Sequence, residues 1–406
     1  MKKKSYMTFL LTVLGTGLSI LFNIYLARTT SIKVFAEYSY FVSTVSLTST
    51  FLLFGISTHI LKYFPVYFET NCTEKITSDL NGYFRIFIFI SILIIMVLYS
   101  LSPGKEGLIY LNAFIMALLG VTCAIARSRS LFYSAVILNN WLRPILILVS
   151  ILMIGTVSYD SEELISIYTE VNAIILIAGL LYYTQKIKLT FCGLGASSNL
   201  NKLKLMTFML VSLMSILVDN APILVLGYND MNEAVSLFRM TALAGGIISF
   251  SIMSATNVSL PAISLAIESK NYALVSDLSK KISLFSLKLT SVMMITFIFV
   301  GSYIPIVIGP EYADVYPAII IMFILKIISM TLGAPGSILL ISGDERMVLV
   351  IWLVCLLIFY TIGYLLTLYF GFMAFVAMAG CSEIALNFIL HRFFGKKYDI
   401  TLGIYK

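Results

Sequence analysis

Charge is what this sequence has least of. Only 12% of its 406 residues are Asp, Glu, Lys or Arg, about half the share of an ordinary soluble domain. Polar residues are spread too thinly to clothe a soluble domain or to keep a chain disordered. Two histidines and five scattered cysteines offer neither a metal site nor a disulfide framework. Cys72, Cys123, Cys192, Cys355 and Cys381 are isolated and mostly sit in apolar runs, where buried packing is expected. No Gly-x-x-x-x-Gly-Lys-Ser/Thr, Gly-x-Ser-x-Gly or His-Glu-x-x-His motif occurs, so no nucleotide, metal or other cofactor is expected. Nor is there a long loop able to hold a catalytic domain, which argues against an enzyme.

What remains is hydrophobic. Apolar residues make up 60% of the chain, with a mean hydropathy of +0.99. Apolar windows recur at Met7–Ala27, Tyr38–Thr58, Tyr83–Leu101, Gly107–Ala126, Leu138–Val157 and Leu164–Tyr183. They continue at Leu205–Gly227, Ala234–Thr256, Ile282–Ile304, Tyr316–Ile338, Met347–Thr367 and Met373–His391. Each is long enough to cross a bilayer as a helix, and none alternates as a barrel strand does. An all-α integral membrane protein of about twelve transmembrane helices is expected. The opening Met1-Lys2-Lys3-Lys4 and its apolar run imitate a signal peptide, but the run is long and lacks a cleavage site, so a retained first helix is expected.

Lysine and arginine placement orients the windows. On this layout 22 of the 27 basic residues, Arg143 among them, fall on one side. Arg28, Lys33, Lys105 and Arg239 fall on the other, and Lys326 lies within a span. The positive-inside rule places the larger group and both termini in the cytoplasm. Trp141 and Trp352 would then lie at cytoplasmic helix ends. The net charge of +7 faces anionic lipid headgroups and needs no nucleic acid to explain it.

The segments Asn23–Phe41 and Asn220–Phe238 have equal length and equal topological position. In each a helix ends, a short polar loop follows, and a helix begins near an acid, Glu37 or Glu233. Both run on to a proline, Pro65 or Pro261. This suggests two six-helix bundles, 1–195 and 196–406, related as parallel repeats.

Several short motifs point further. Tyr25-Leu26-Ala27-Arg28 with Phe35-Ala36-Glu37-Tyr38 resembles the first helix end and outer loop of bacterial polysaccharide flippases. Gly309-Pro310-Glu311-Tyr312 with Tyr316-Pro317 is similar to their loop between the ninth and tenth helices. Gly227-Tyr228 with Ala234 and Phe238, and Ser259-Leu260-Pro261 before the basic stretch to Lys281, are further matches. Thr29-Thr30-Ser31-Ile32 departs from the usual turn of that loop. The chain thus resembles the O-antigen or polysaccharide flippase branch of the multidrug/oligosaccharidyl-lipid/polysaccharide exporter superfamily. That resemblance implies a V-shaped, two-lobed protein of the bacterial inner membrane. It also implies alternating access that moves an undecaprenyl-diphosphate-linked oligosaccharide from the cytoplasmic to the outer leaflet. A polysaccharide polymerase and a chain-length regulator are the implied partners.

Charges inside the windows carry the functional reading, because each costs about 2.5–3.5 kcal/mol on insertion scales. Lys326, Asp219 and Glu383 lie within spans, and Arg28 and Arg239 near outer helix ends. As a cation-lined cavity, Arg28, Arg239 and Lys326 would attract a diphosphate. Lys326 has the alternative of a structural salt bridge to Asp219 or Glu383, and the arginines that of snorkelling. Asp219 and Glu383 are candidates for ion coupling or charge pairing. A cation-coupled multidrug antiporter of the related superfamily branch is the competing function.

Overall fold

The computed structural model describes residues 2–70, 73–101, 106–129, 131–154, 159–187 and 202–404. Cys72, Cys192, Lys105 and the expected bundle boundary at 195/196 lie outside them. In the bilayer interior no water can satisfy a backbone N–H or C=O, so long apolar runs close their own hydrogen bonds as helices. The chain does this throughout: α1 (Lys2–Thr29), α2 (Ile32–Leu53), α3 (Ile56–Glu69), α4 (Thr73–Leu101), α5 (Glu106–Ser128), α6 (Phe132–Val136), α7 (Leu142–Ile154) and α8 (Ser161–Ile187). Then come α9 (Lys202–Tyr228), α10 (Asn232–Glu268), α11 (Tyr272–Val300), α12 (Ile304–Val307), α13 (Val315–Thr331), α14 (Pro335–Ile341), α15 (Glu345–Phe370) and α16 (Phe372–Tyr398). Among the described residues, ten helices are long and apolar enough to cross a membrane, or eleven if the bent pair α2–α3 counts as one span. The remaining apolar window, Ala234–Thr256, falls inside the 37-residue α10, which is not one of the ten. The protein is a multi-pass helical membrane protein.

Contacts divide the chain into two compact units, residues 1–217 and 218–406, so that the division falls within α9. In the first unit α2 ends at Phe54 in the left-handed region and Gly55 follows at φ +73°. The axis bends by 51° there before α3. A side chain at Gly55 would begin 2.4 Å from the Leu205 carbonyl oxygen and 2.7 Å from the Met209 amide. Only glycine therefore lets the first turns of α9 pack against this corner. That contact is why the start of α9 belongs with the first unit.

In the second unit Ile263, Val275, Ile282, Ile338, Leu390 and Phe394 form a buried cluster joining α10, α11, α14 and α16. The segment after α16 completes it: Leu402 is buried in the same cluster. Ser276 donates to the Thr401 carbonyl (2.7 Å), the Gly403 amide to Ser279 Oγ (3.0 Å), and the Ile404 amide to the Thr331 carbonyl (3.1 Å).

Two sequence expectations are corrected here. Arg143, placed at the cytoplasmic face, lies at the centre of the span Phe132–Ile154. Trp141 likewise sits well inside that span, in a π turn over Ile137–Trp141, and its indole donates to the Leu11 carbonyl at 2.8 Å. The expected window opened six residues too late. Phe132–Ile137 carries Tyr133 and Ser134, which read as interfacial although the helix has already begun.

Candidate functional site

Lys326 is the one charged residue of α13. The lysine is 8% exposed, so its ammonium must find partners inside the fold. It donates to Glu383 Oε2 at 2.8 Å and to Ser249 Oγ at 3.0 Å. One side chain thereby ties α13 to α16 and α10. A turn further along, Asn387 Nδ2 donates to Ser329 Oγ at 2.7 Å, so Lys326/Ser329 and Glu383/Asn387 form a polar ladder between α13 and α16. The i, i+3 and i, i+4 spacings put each pair on one helix face.

The helices approach closely because small residues flank Lys326. A side chain on Gly245 of α10 would meet Met322 Sδ at 2.6 Å, and one on Gly380 of α16 would meet Leu325 Cβ at 2.9 Å. Small residues at such crossings are how membrane helices bring polar groups into register.

These residues border a cavity of about 390 Å³ within the second unit, lined by Lys326, Glu383, Asp219, Ser249, Ser382 and Asn387 together with apolar side chains and Trp352. Trp352 therefore faces the cavity. Asp219 stands on α9 and forms no ion pair within 4 Å among the described residues. The charges of Lys326, Glu383 and Arg239 nevertheless all act on it. Its position has a covalent cause. Pro222 has no N–H, so the Val218 carbonyl one turn earlier lacks its helical donor. The Tyr360 hydroxyl supplies one at 2.9 Å, pinning α9 to α15 beside Asp219.

The structure thus brings Asp219, Lys326 and Glu383 to one cavity, with half-buried Arg239 of α10 in electrostatic reach. Arg28 is exposed at the end of α1, in the other unit. The charged lining of the cavity is one cation, Lys326, and two carboxylates, Asp219 and Glu383, with Arg239 standing outside it. Sequence reasoning missed Ser249, Ser329, Tyr360 and Asn387, which look like ordinary helix residues until α10, α13, α15 and α16 are packed. It also missed Arg143 as an intramembrane charge. His59 of α3 is buried with Nδ1 2.5 Å from the Tyr83 hydroxyl. No group of three or more metal-ligating side chains gathers among the described residues.

No protein-family profile and no curated protein matches the sequence. Solved structures do. The lipid II flippase MurJ in an inward closed conformation superposes with a TM-score of 0.69 at 14% identity, over 97% of this chain and 87% of that one. An inward-facing multidrug resistance MATE family transporter of the MOP superfamily gives 0.69 at 12%, over 95% of this chain and 94% of its own. A MOP superfamily transporter from Pyrococcus furiosus Vc1, described as having a binding pocket of reverse polarity, gives 0.59 at 11%, over 98% and 96%. At these identities the likeness establishes the fold: the chain has the architecture of MOP-type transporters.

Proposed function

We propose that the chain is an alternating-access flippase that carries an undecaprenyl-diphosphate-linked oligosaccharide from the cytoplasmic to the periplasmic leaflet of a bacterial inner membrane. In this reading it has twelve spans in two six-helix bundles, with both termini cytoplasmic. Support comes from the shared fold with a lipid flippase and from the sequence motifs of the outer loops. The observation that carries the reading is Lys326, an intramembrane cation on a cavity wall.

The chemistry follows from its partners. At rest Lys326 gives its charge to Glu383 at 2.8 Å. A phosphate oxygen reaching the cavity competes for the same ammonium, and charge-assisted bonds of this kind are the strong ones. When Glu383 loses its lysine, its carboxylate is left in the cavity wall beside Asp219. Substrate binding and release of Glu383 are then linked through one broken ion pair. Ser249, Ser382 and Asn387 offer hydroxyl and amide groups to polar parts of the substrate. A cavity of this size suits a drug-sized ligand or one headgroup, so the bulk of a glycan must lie outside it.

One observation favours the competing reading of a cation-coupled multidrug antiporter: Asp219 is a cavity-lining carboxylate without an ion pair among the described residues. Gene deletion in a strain without redundant flippases separates the two. Loss of surface polysaccharide, accumulation of undecaprenyl-linked repeat units and unchanged dye susceptibility are expected. Intact surface glycan with increased sensitivity to cationic dyes would reverse the assignment.

A further inference from the structure

Lys326 is neutralised in place, whereas Arg143 is not. Arg143 stands at the midpoint of the span Phe132–Ile154, eleven residues from either end. At 1.5 Å per residue that is about 16 Å of helix, beyond the reach of one side chain to either interface. No carboxylate lies within 4 Å of it among the described residues. Its Nε donates to Asn172 Oδ1 at 2.9 Å, its Nη2 to Met116 Sδ at 2.9 Å, and the guanidinium sits 5.9 Å from the Tyr168 ring centroid.

These contacts orient the arginine without discharging it. A guanidinium has five N–H donors, and two are used here. One of the two acceptors is a thioether, a weak acceptor on a flexible side chain that gives way easily. The neighbouring Asn172 is fully buried, and its Nδ2 donor has no partner among the described residues. Asn172 therefore spends its carbonyl on Arg143 and keeps its amide donor beside it. Asn112, one turn from Met116, is held by Thr169 at 2.7 Å and the Leu108 carbonyl at 2.9 Å, which fixes α5 against α8 at this depth. The backbone is also opened here. Pro144 cannot donate to the Asn140 carbonyl, and the π turn Ile137–Trp141 ends two residues before Arg143; such turns gather at functional sites.

We propose that Arg143, oriented by Asn172, is an oxyanion-binding residue inside the first unit that holds a phosphate-type group of the transported amphiphile, displacing Met116. The owner of that phosphate rests on the flippase reading; the anion site itself does not. An arginine with no carboxylate partner and with spare donors recognises phosphate by its planar fork, and the site lies on a different unit from the Lys326 cavity.

The chain's two tryptophans make this testable, because Trp141 lies two residues from Arg143 and Trp352 lines the Lys326 cavity. Protein in phosphatidylcholine nanodiscs, carrying Trp352→Phe or Trp141→Phe, is titrated with inorganic pyrophosphate and with farnesyl diphosphate while fluorescence is read. With Trp141 alone, a saturable change is expected for both, tighter for farnesyl diphosphate. Arg143→Gln should weaken it by at least about tenfold, the loss of one charge-assisted contact. Arg143→Lys should fall between, and Met116→Leu should bind as tightly or more tightly, which guards against a variant that merely misfolds. No Trp141 response, a response insensitive to Arg143→Gln, or weaker binding in Met116→Leu overturns the site. Equal affinity for free pyrophosphate overturns its assignment to an amphiphile. Arg143-dependent binding alongside an unchanged surface glycan after gene deletion would instead leave the site standing and remove the flippase reading.

Discussion

Glu383 holds Lys326 by an ion pair in which the two side chains are unequally enclosed: 10% of the lysine side chain is exposed against 32% of the glutamate. The glutamate opens to the cavity, so it is the partner able to leave. Lys326→Met should strand a carboxylate that is only partly buried, and the loss of stability should fall below the about 3–5 kcal/mol of a fully buried pair. Adding Glu383→Gln should restore thermal stability in detergent. Transport should remain lost in the double variant, because the cation is gone. Transport returning together with stability would show that the pair is only a brace.

Tyr360 and Pro222 act as a unit. Tyr360→Phe removes the donor to the Val218 carbonyl and should cost about 0.5–1.5 kcal/mol. Pro222→Ala restores a helical N–H to the same carbonyl, so Tyr360→Phe should cost less in that background. Thermal unfolding of the four proteins of the cycle measures this coupling. Additive effects would mean that the hydroxyl serves something other than the gap left by proline.

Sequence reading finds the spans because hydropathy averaged over twenty residues is insensitive to where a helix starts. The same averaging hides Arg143: a window opened at Leu138 rather than Phe132 turns a mid-membrane charge into an interfacial one. The partners of Lys326 are hidden for another reason. Glu383 and Asp219 are visible as costly charges, but Ser249, Asn387 and Tyr360 gain meaning only from which helix faces meet. Phe41 sits edge-on to Tyr168 of α8 with centroids 6.1 Å apart, and Phe238 edge-on to Phe375 of α16 at 5.9 Å. Each joins two helices far apart in the sequence, a contact that residue identity alone does not reveal.

Adjacent helix crossings offer a sharp internal control. Gly380→Ala would set a methyl 2.5 Å from Leu325 Cδ1 and 2.9 Å from its Cβ, prying α16 from α13. Overpacking of that kind costs typically about 1–3 kcal/mol. Gly246→Ala meets nothing within 4 Å and should be neutral or stabilising, since alanine favours helix over glycine. Equal melting temperatures for the two variants would place the α13–α16 crossing elsewhere than described.

Orientation in the membrane is open to a direct chemical test. The exposed acids Asp160 and Asp230 precede α8 and α10, while exposed Lys281 lies within α11 one turn after Asp277, its ion-pair partner at 2.7 Å. Basic residues are retained on the cytoplasmic side during insertion; moving Arg143 into the bilayer lowers the basic count on that side by one, from 22 to 21, and leaves the imbalance intact. Single cysteines at 160 or 230, in a background lacking the native thiols, should therefore react with a membrane-impermeant maleimide in intact cells. A cysteine at 281 should react only after the membrane is opened. The reverse pattern would invert the topology, and with it the direction in which Lys326 and Glu383 exchange partners during transport. Labelling at all three sites in intact cells would instead mean that α10 and α11 do not lead from one face of the membrane to the other.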